Sequence, residues 1–219
     1  MSAASRSLRQ ILGDFDRLSP ISCATAVDRG VPIDRYYVDR WFASTRDAVR
    51  GRVLELGDGH YARQFGGGAI TDIRTLSVDV DSPQFVEQFA ALARDTGAGF
   101  DCLVMPQVLH AVFDVEEIIR LAHKLLEPGG VLLATLAGLG PLDSDGEDSR
   151  YWGFTSDSAR HLFDAHFQPE LVSVSAHGNV VAAIALMQGL ASSELATHEL
   201  NAVDADYEVV IGVCARRAG

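Results

Sequence analysis

Short apolar runs that alternate with helical segments constrain this 219-residue chain more than any other feature of its sequence. The four clearest runs are RVLEL (52–56), TLSVDV (75–80), FDCLVMP (100–106) and GGVLLATLAG (129–138). The longest runs are apolar without a polar residue at every second position, which is typical of strands that are covered on both faces. The sequence therefore predicts an α/β domain with a mostly parallel, doubly wound sheet.

Helical segments with recognisable ends separate these runs. The segment DVEEIIRLAHKLLEPGG has Asp114 as its predicted N-cap and a Pro-Gly stop, and Thr155 or Ser156 is the predicted cap of TSDSARHLFDAHF. Two further strands, LVSVSAHG and YEVVIGVCARR, enclose the helical segment NVVAAIALMQGLA. We expect one domain over residues 31–219, preceded by an N-terminal arm or short helix over residues 1–30.

Composition excludes several classes of function. The net charge of −12 at pH 7 predicts that the protein binds neither nucleic acid nor an anionic membrane surface. Its three cysteines are far apart and no cysteine and histidine spacing of a metal site occurs, so we expect no disulfide and no bound metal. The sequence has no signal-peptide pattern and no apolar stretch of spanning length, which favours a cytoplasmic location.

A glycine turn after the first predicted strand is the strongest candidate for a cofactor site. In a doubly wound sheet, ligands bind at the carboxyl ends of the strands, which is where Gly57, Asp58 and Gly59 are expected. Gly57-x-Gly59-x-x-Ala62 satisfies the dinucleotide fingerprint, and Asp79 follows Gly59 by 20 residues, where a ribose-binding acid is expected. An NAD(P)-dependent oxidoreductase is therefore one open interpretation.

Two features of the same turn argue against a dinucleotide. The helix that follows has only the residues HYARQF before three glycines, so it has too few aligned peptides to attract a pyrophosphate. Glu55 ends the strand, and its carboxylate would repel a phosphate. S-adenosylmethionine carries a cationic amino group and no phosphate, so the residues of the turn favour it as the cofactor.

Two longer motifs resemble those of class I S-adenosylmethionine-dependent methyltransferases. VLELGDG is similar to the family's first motif, and residues 100–138 resemble its fourth motif through the post-strand PGG signature. More narrowly, the chain resembles a bacterial methyltransferase-like group associated with glycosyltransferase systems. The matching segments are GVPIDRYYVDRWF, GRVLELGDGHYARQFGG, YWGFTSDSARHLFDAHF and HGNVVAAIALMQGLASSEL. This resemblance covers residues 27–215 and implies a Rossmann-like fold whose last strand, residues 207–215, is antiparallel.

The resemblance also implies roles for individual residues. Asp79 would hold the ribose hydroxyls, with a solvated acid at the strand end as the alternative and Asp81 as a substitute. Gln107 would bind the cofactor near the methyl-transfer centre. The residues that would contact the cofactor at the turn are Glu55, Gly57, Asp58 and Gly59.

His110 is the candidate catalytic residue. It follows the FDCLVMP strand, and an imidazole titrates close enough to neutral pH to serve as a general base. A histidine that only packs in the loop is the alternative interpretation.

Five aromatic residues are further candidates. Tyr36 and Tyr37 could stack on a cofactor, although core packing is favoured for them. Tyr151, Trp152 and Phe154 follow an acidic loop and either line a substrate pocket or anchor that loop to the sheet.

Two departures from the family pattern bear on cofactor binding. The third glycine of the first motif is replaced by Tyr61. Where relatives have a strand that ends in an acid, this chain has SPQFVEQFAALARDTGAG, in which Phe85, Phe89 and Leu92 have helical spacing. Either adenine binding has been rebuilt or cofactor binding has been lost.

The resemblance therefore implies S-adenosylmethionine-dependent methyl transfer, with O-methylation of a small-molecule or sugar-containing acceptor as the expected reaction. Two other interpretations stay open at this point. One is a non-catalytic methyltransferase-like module that partners a glycosyltransferase, and the other is the NAD(P)-dependent oxidoreductase. A homodimer is a further open alternative.

Overall fold

A six-stranded sheet organises the part of the chain that the computed structural model describes, residues 18–24, 27–76, 84–94, 99–141 and 150–219. The strands are β1 (Gly51–Leu56), β2 (Ile70–Leu76), β3 (Phe100–Pro106), β4 (Leu126–Ala137), β5 (Val172–His177) and β6 (Val210–Arg216). Their order in the sheet is β2-β1-β3-β4-β6-β5. β1 pairs in parallel with β2 and β3, and β3 with β4, whereas β6 runs antiparallel between β4 and β5. The predicted α/β fold with an antiparallel last strand is confirmed.

Helices cover both faces of this sheet. They are α1 (Ile33–Thr45), α2 (His60–Gly66), α3 (Gln84–Arg94), α4 (Val115–Leu125), α5 (Ser156–Asp164), α6 (Val180–Met187) and α7 (Thr197–Asn201). Helices α3, α4 and α5 contribute to the hydrophobic cluster on one face, and α1, α2 and α6 to the cluster on the other. The sheet is thus the middle layer of three.

Successive residues of a central strand pack into opposite clusters. On β3, Leu103 and Met105 join the cluster of α3, α4 and α5, whereas Cys102 and Val104 join the cluster of α1, α2 and α6. All four side chains are fully buried. Because neither face of the strand meets water, its sequence is a continuous apolar run.

The helix caps read from the sequence are present. The Asp114 carboxylate accepts a hydrogen bond from the backbone N–H of Glu117 at 3.2 Å, which caps α4. Thr155 accepts from the N–H of Ser158 at 3.2 Å and forms a capping box at the start of α5. These contacts satisfy backbone groups that the first turn of a helix leaves unpaired.

The second strand begins earlier in the chain than the sequence predicts. The run at 75–80 predicts a strand there, but β2 spans Ile70–Leu76, and residues 77–80 lie outside the described part. In the described sheet β2 is an edge strand that pairs with β1 alone, and its side chains from Thr71 to Leu76 are exposed or half-buried. An exposed edge strand does not need the apolar run by which the buried strands were recognised.

The segment before FDCLVMP forms a helix where the resemblance to the family implies a strand. Phe85 and Phe89 of α3 are fully buried in the cluster that α3 shares with α4, as their spacing predicts. Among the described residues no strand pairs with the outer edge of β2. The element expected to carry an adenine-contacting acid is therefore helical here.

Two other predictions can be compared with the described residues. No helix among them is long and apolar enough to cross a membrane. Nor do they contain a group of three or more His, Cys, Asp or Glu residues that could hold a metal ion. The arm predicted over residues 1–30 falls largely on residues 1–17 and 25–26, which lie outside the described part.

Candidate active site at the carboxyl ends of the parallel strands

The glycine turn that follows β1 has the backbone that its sequence predicts. Gly57 has φ +135° and Gly59 has φ +82°, a region that residues with a Cβ rarely adopt. The N–H of Gly57 donates to the carbonyl of Leu76 at 2.8 Å, which ties the turn to β2. At Gly59, a Cβ would also come within 2.8 Å of Thr75 Cγ2, so space and backbone geometry both require glycine there.

Glu55 caps the short helix after the turn. Its side chain is 1% exposed, and its oxygens accept hydrogen bonds from the backbone N–H groups of Ala62 at 2.6 Å and Tyr61 at 3.3 Å. Burial raises the pKa of Glu55, and the two backbone donors partly oppose that shift. The carboxylate therefore occupies the amides that a pyrophosphate would need, which argues against a dinucleotide more strongly than the sequence did.

Gln107 begins the loop after β3 in a strained conformation. Its φ is +52°, the only positive value at a non-glycine residue in the described part of the chain. Its backbone N–H donates to the carbonyl and the hydroxyl of Thr135, at 3.0 and 3.1 Å, which holds this conformation against a cost of about 1–3 kcal/mol. The side-chain Nε2 is buried without a hydrogen-bond partner. It is a donor that a bound molecule could use.

His110 lies three residues further along the same loop, in a 3-10 turn over Leu109–Ala111. Its Nδ1 is buried without a hydrogen-bond partner. Burial, with a smaller contribution from the positive charge of Arg150, lowers the pKa of His110 to about 4. At neutral pH the imidazole is therefore uncharged and able to accept a proton or a hydrogen bond.

Two cavities meet at these two residues. The first, which we call the turn cavity, has a volume of about 420 Å³, and the second, the strand-end cavity, about 530 Å³. Arg35, Gln107 and His110 line both of them. The turn cavity is also lined by Glu55, Gly57, Asp58, His60 and Tyr61, and the strand-end cavity by Asp34, Leu139, Arg150, Leu186 and Val209.

Arg35 is the site residue that sequence reasoning missed. It lies in the first turn of α1, with its guanidinium carbon 4.7 Å from the ring centre of Tyr61 and its Nε 3.2 Å from Asp39 Oδ1. The aromatic stripe of α1 drew attention to the buried face of this helix and away from its polar neighbours. The only available signal was that Arg35 belongs to PIDRYY, one of the matching segments.

Comparison with known families identifies the fold and the family. The family model described as a methyltransferase domain matches residues 34–170, which is more than half of the chain. The chain belongs to this methyltransferase family.

Two solved structures are similar to this chain at low sequence identity. An S-adenosylmethionine-dependent methyltransferase from Mesorhizobium loti is 16% identical with a TM-score of 0.50, and the match covers 84% of this chain and 98% of that one. The N-methyltransferase NodS from Bradyrhizobium japonicum, solved with S-adenosyl-L-homocysteine, is 12% identical with a TM-score of 0.49 over 87% and 90% of the two chains. A comparison with curated proteins finds no significant match.

The fold brings most of the candidate site residues together. Glu55, Gly57, Asp58, Gln107 and His110 all line the turn cavity. Asp58 is exposed, and its carboxylate accepts a hydrogen bond from the backbone N–H of His60 at 2.9 Å, so it also stabilises the turn.

Two candidate residues are not placed on the cavity wall. Gly59 is the N-cap residue of α2 and is not among the described residues that line the turn cavity. Asp79 and its proposed substitute Asp81 lie outside the described residues.

The tyrosines of α1 pack away from both cavities. The Tyr37 hydroxyl donates to the carbonyl of Leu200 at 2.8 Å, and the Tyr36 hydroxyl donates to Asn201 Oδ1 at 3.0 Å. Tyr37 is buried in the cluster on that face of the sheet. Their favoured interpretation as packing residues agrees with these contacts.

The aromatic residues after the acidic loop anchor a segment of chain. Phe154 is buried in the core, and Trp152 and Tyr151 bond to the loop that carries His110. In the described part of the chain none of the three lines the turn cavity or the strand-end cavity.

Proposed function

We propose that the protein transfers a methyl group from S-adenosylmethionine to a hydroxyl group of a small-molecule or sugar-containing acceptor. One observation carries the proposal: the turn cavity and the strand-end cavity meet at Gln107 and His110, whose buried polar atoms have no hydrogen-bond partner among the described residues. A methyl donor bound in one cavity and a methyl acceptor bound in the other would present their reacting atoms to Gln107 and His110. The family membership supports the reaction type.

The residues of the turn cavity suit the chemistry of this cofactor. The amino-acid end of S-adenosylmethionine carries one carboxylate and one ammonium group, and the cavity offers the Arg35 guanidinium together with the carboxylates of Glu55 and Asp58. Gly57 leaves its backbone uncovered, because a Cβ there would have only Glu55 Oε1 near it, at 3.8 Å. We assign Asp79 to the ribose hydroxyls, as the resemblance implies.

The acceptor would lie in the strand-end cavity. When bound, the cofactor supplies an electrophilic methyl group on a sulfonium. Gln107 Nε2 would donate a hydrogen bond that orients the reacting groups, and His110 Nδ1 would accept the proton of the acceptor hydroxyl. Because its pKa of about 4 makes His110 a weak base, we assign most of the rate to positioning and a modest factor to proton removal.

A non-catalytic methyltransferase-like module is the second candidate. Two observations favour it: α3 stands where relatives carry an adenine-contacting strand, and Tyr61 replaces the third glycine. The Tyr61 ring is 4% exposed and packs 4.6 Å from the ring of Phe42, so it fills space behind the turn. Such a module would keep the fold and bind a glycosyltransferase instead of the cofactor.

Isothermal titration calorimetry with S-adenosyl-L-homocysteine and with NADPH separates these functions. We expect micromolar affinity for the first ligand and none for the second. Replacing Gln107 by alanine should weaken binding several-fold because a buried donor is lost, about 1 kcal/mol. The matched control is Q168A, since Gln168 is exposed and remote in sequence from the cavity loops. Absence of binding by the wild-type protein supports the module, and binding of NADPH alone supports the oxidoreductase.

A further inference from the structure

A short segment before α5 bridges the two loops that form the strand-end cavity. We define it as the strap, residues 150–154. The loop after β3 supplies Gln107 and His110 to the cavity, and the loop after β4 supplies Leu139. The strap lines the cavity only through Arg150, yet its hydrogen bonds reach both loops.

The strap makes four hydrogen bonds to the loop after β3. The backbone N–H groups of Tyr151 and Trp152 both donate to the carbonyl oxygen of His110, at 2.9 and 3.1 Å. The indole Nε1 of Trp152 donates to the carbonyl oxygens of Val112 and Phe113, at 2.9 and 3.2 Å. Within the loop itself two backbone hydrogen bonds, of 3.1 and 3.3 Å, form turns, so the four bonds from the strap supply much of the restraint on His110.

The two ends of the strap are tied to β4 and to the loop that follows it. Arg150 donates to the carbonyl oxygens of Gly138 at 2.7 Å and Pro141 at 2.9 Å, and the N–H of Phe154 donates to Ala137 at 2.9 Å. The loop after β3 is thus tied to a strand whose position the core sets. The strap transmits that position to His110.

Trp152 is placed for hydrogen bonding more than for burial. Its side chain is 39% exposed, and the ring beside it at 6.1 Å, Phe113, is 71% exposed. A tryptophan that left water mainly to gain apolar contact would bury far more of its ring. The group that distinguishes it from other aromatic residues is therefore the indole N–H, which donates to two carbonyl oxygens of the loop after β3.

We propose that Trp152 is a positioning residue, whose indole N–H holds the loop from Gln107 to Phe113 so that His110 stays half-buried between the two cavities. This inference rests on the proposed function for its catalytic meaning. The part that concerns the hold of Trp152 on the loop does not depend on any ligand. Gln107 begins the loop with a strained backbone, and such a backbone persists only where several contacts hold the surrounding residues in place.

The test is the variant W152F, which keeps a ring beside Phe113 and removes the indole donor. Histidine titration followed by NMR should show the pKa of His110 moving from about 4 toward its ordinary value of 6.5, because the loop opens to water. The affinity for S-adenosyl-L-homocysteine should fall several-fold. The matched control is Y151F, which keeps the backbone N–H and the ring and should change neither quantity.

The result that would overturn the proposal is a W152F protein that loses thermal stability while both the His110 titration and the ligand affinity stay as in the wild type. That outcome would make Trp152 a merely structural residue. If W152F does not fold, the wild-type indole N–H of Trp152 is measured directly, and exchange as fast as in a free indole overturns the proposal. Failure of the wild type to bind the ligand refutes the proposed function alone, since the titration still tests the strap.

Discussion

The uncharged state of His110 is imposed by the loop that carries it. Histidine was identified from sequence because of its position after a strand and its ordinary pKa. Burial lowers that pKa to about 4, and burial was not readable from the sequence because residues about forty positions away cover the loop. The left-handed backbone of Gln107 is equally hidden, since it depends on Thr135 of a neighbouring strand.

This lowered pKa predicts how stability depends on pH. In the unfolded chain His110 takes up its proton near pH 6.5, whereas the folded protein does so only near pH 4. The unfolded state therefore binds more protons between these values, so stability is complete above pH 6.5 and falls as the pH falls toward 4, by at most about 3 kcal/mol. The variant H110Q should lose less stability than the wild type in this window.

Urea unfolding at about pH 7.5 and about pH 5 measures the difference. The matched control is H161Q, because His161 is exposed on α5. An H110Q protein with the same pH dependence as the wild type would contradict an uncharged, half-buried His110.

At the scale of elements, the turn and α2 depend on one another. The helix has seven residues, and its first amides are bound by Glu55 from β1, so strand, turn and helix form one unit. The sequence predicted the short helix and the tight turn. It did not predict that the acid of the first motif caps the helix, because that contact depends on how the turn folds back.

The glycine turn predicts a contrast between two alanine substitutions. G59A should destabilise the protein by about 1–3 kcal/mol, because Gly59 has φ +82° and a Cβ would lie 2.8 Å from Thr75 Cγ2. G68A should change stability by less than about 1 kcal/mol, since Gly68 has open space around its Cβ position and no positive φ. Urea unfolding of both variants measures the contrast, and equal losses would show that the turn geometry is wrong.

At the edge of the sheet the sequence predicts the bounds of a strand less well than in its centre. Buried strands were recognised by their apolar runs, and their bounds agree with the structure to within a few residues. The edge strand β2 was placed too late because its exposed side chains carry no such run. The helix α3 was recognised because one side of it packs into the core and therefore has helical spacing.

At the scale of the whole molecule, the sheet separates two hydrophobic clusters. Ile33 belongs to the cluster of α1, α2 and α6, and Ile119 to the cluster of α3, α4 and α5, and both are fully buried. The two side chains belong to different clusters, and the sheet lies between them. Changes at the two positions should therefore act independently.

The variants I33V and I119V test this separation. Each should lose about 0.5–1.5 kcal/mol, because one buried methylene is removed in each case. In the double variant the losses should add to within about 0.5 kcal/mol. Urea unfolding measures the free energy of unfolding of all three proteins. A coupling energy well above that value would mean that the two clusters do not contribute independently to stability.

The sequence by itself determined the fold class and the glycine turn, and the resemblance of its motifs to a known family implied the methyltransferase family and five residues of the turn cavity. The fold class and the turn follow from local rules, because apolar runs, helical spacing, caps and glycines act within a few residues of the chain. The tertiary structure alone decided that Glu55 caps α2, that Arg35 joins the site, and that His110 is half-buried and uncharged. Those properties depend on contacts between segments far apart in sequence, which set burial and hydrogen bonding and leave no periodic signal in either segment.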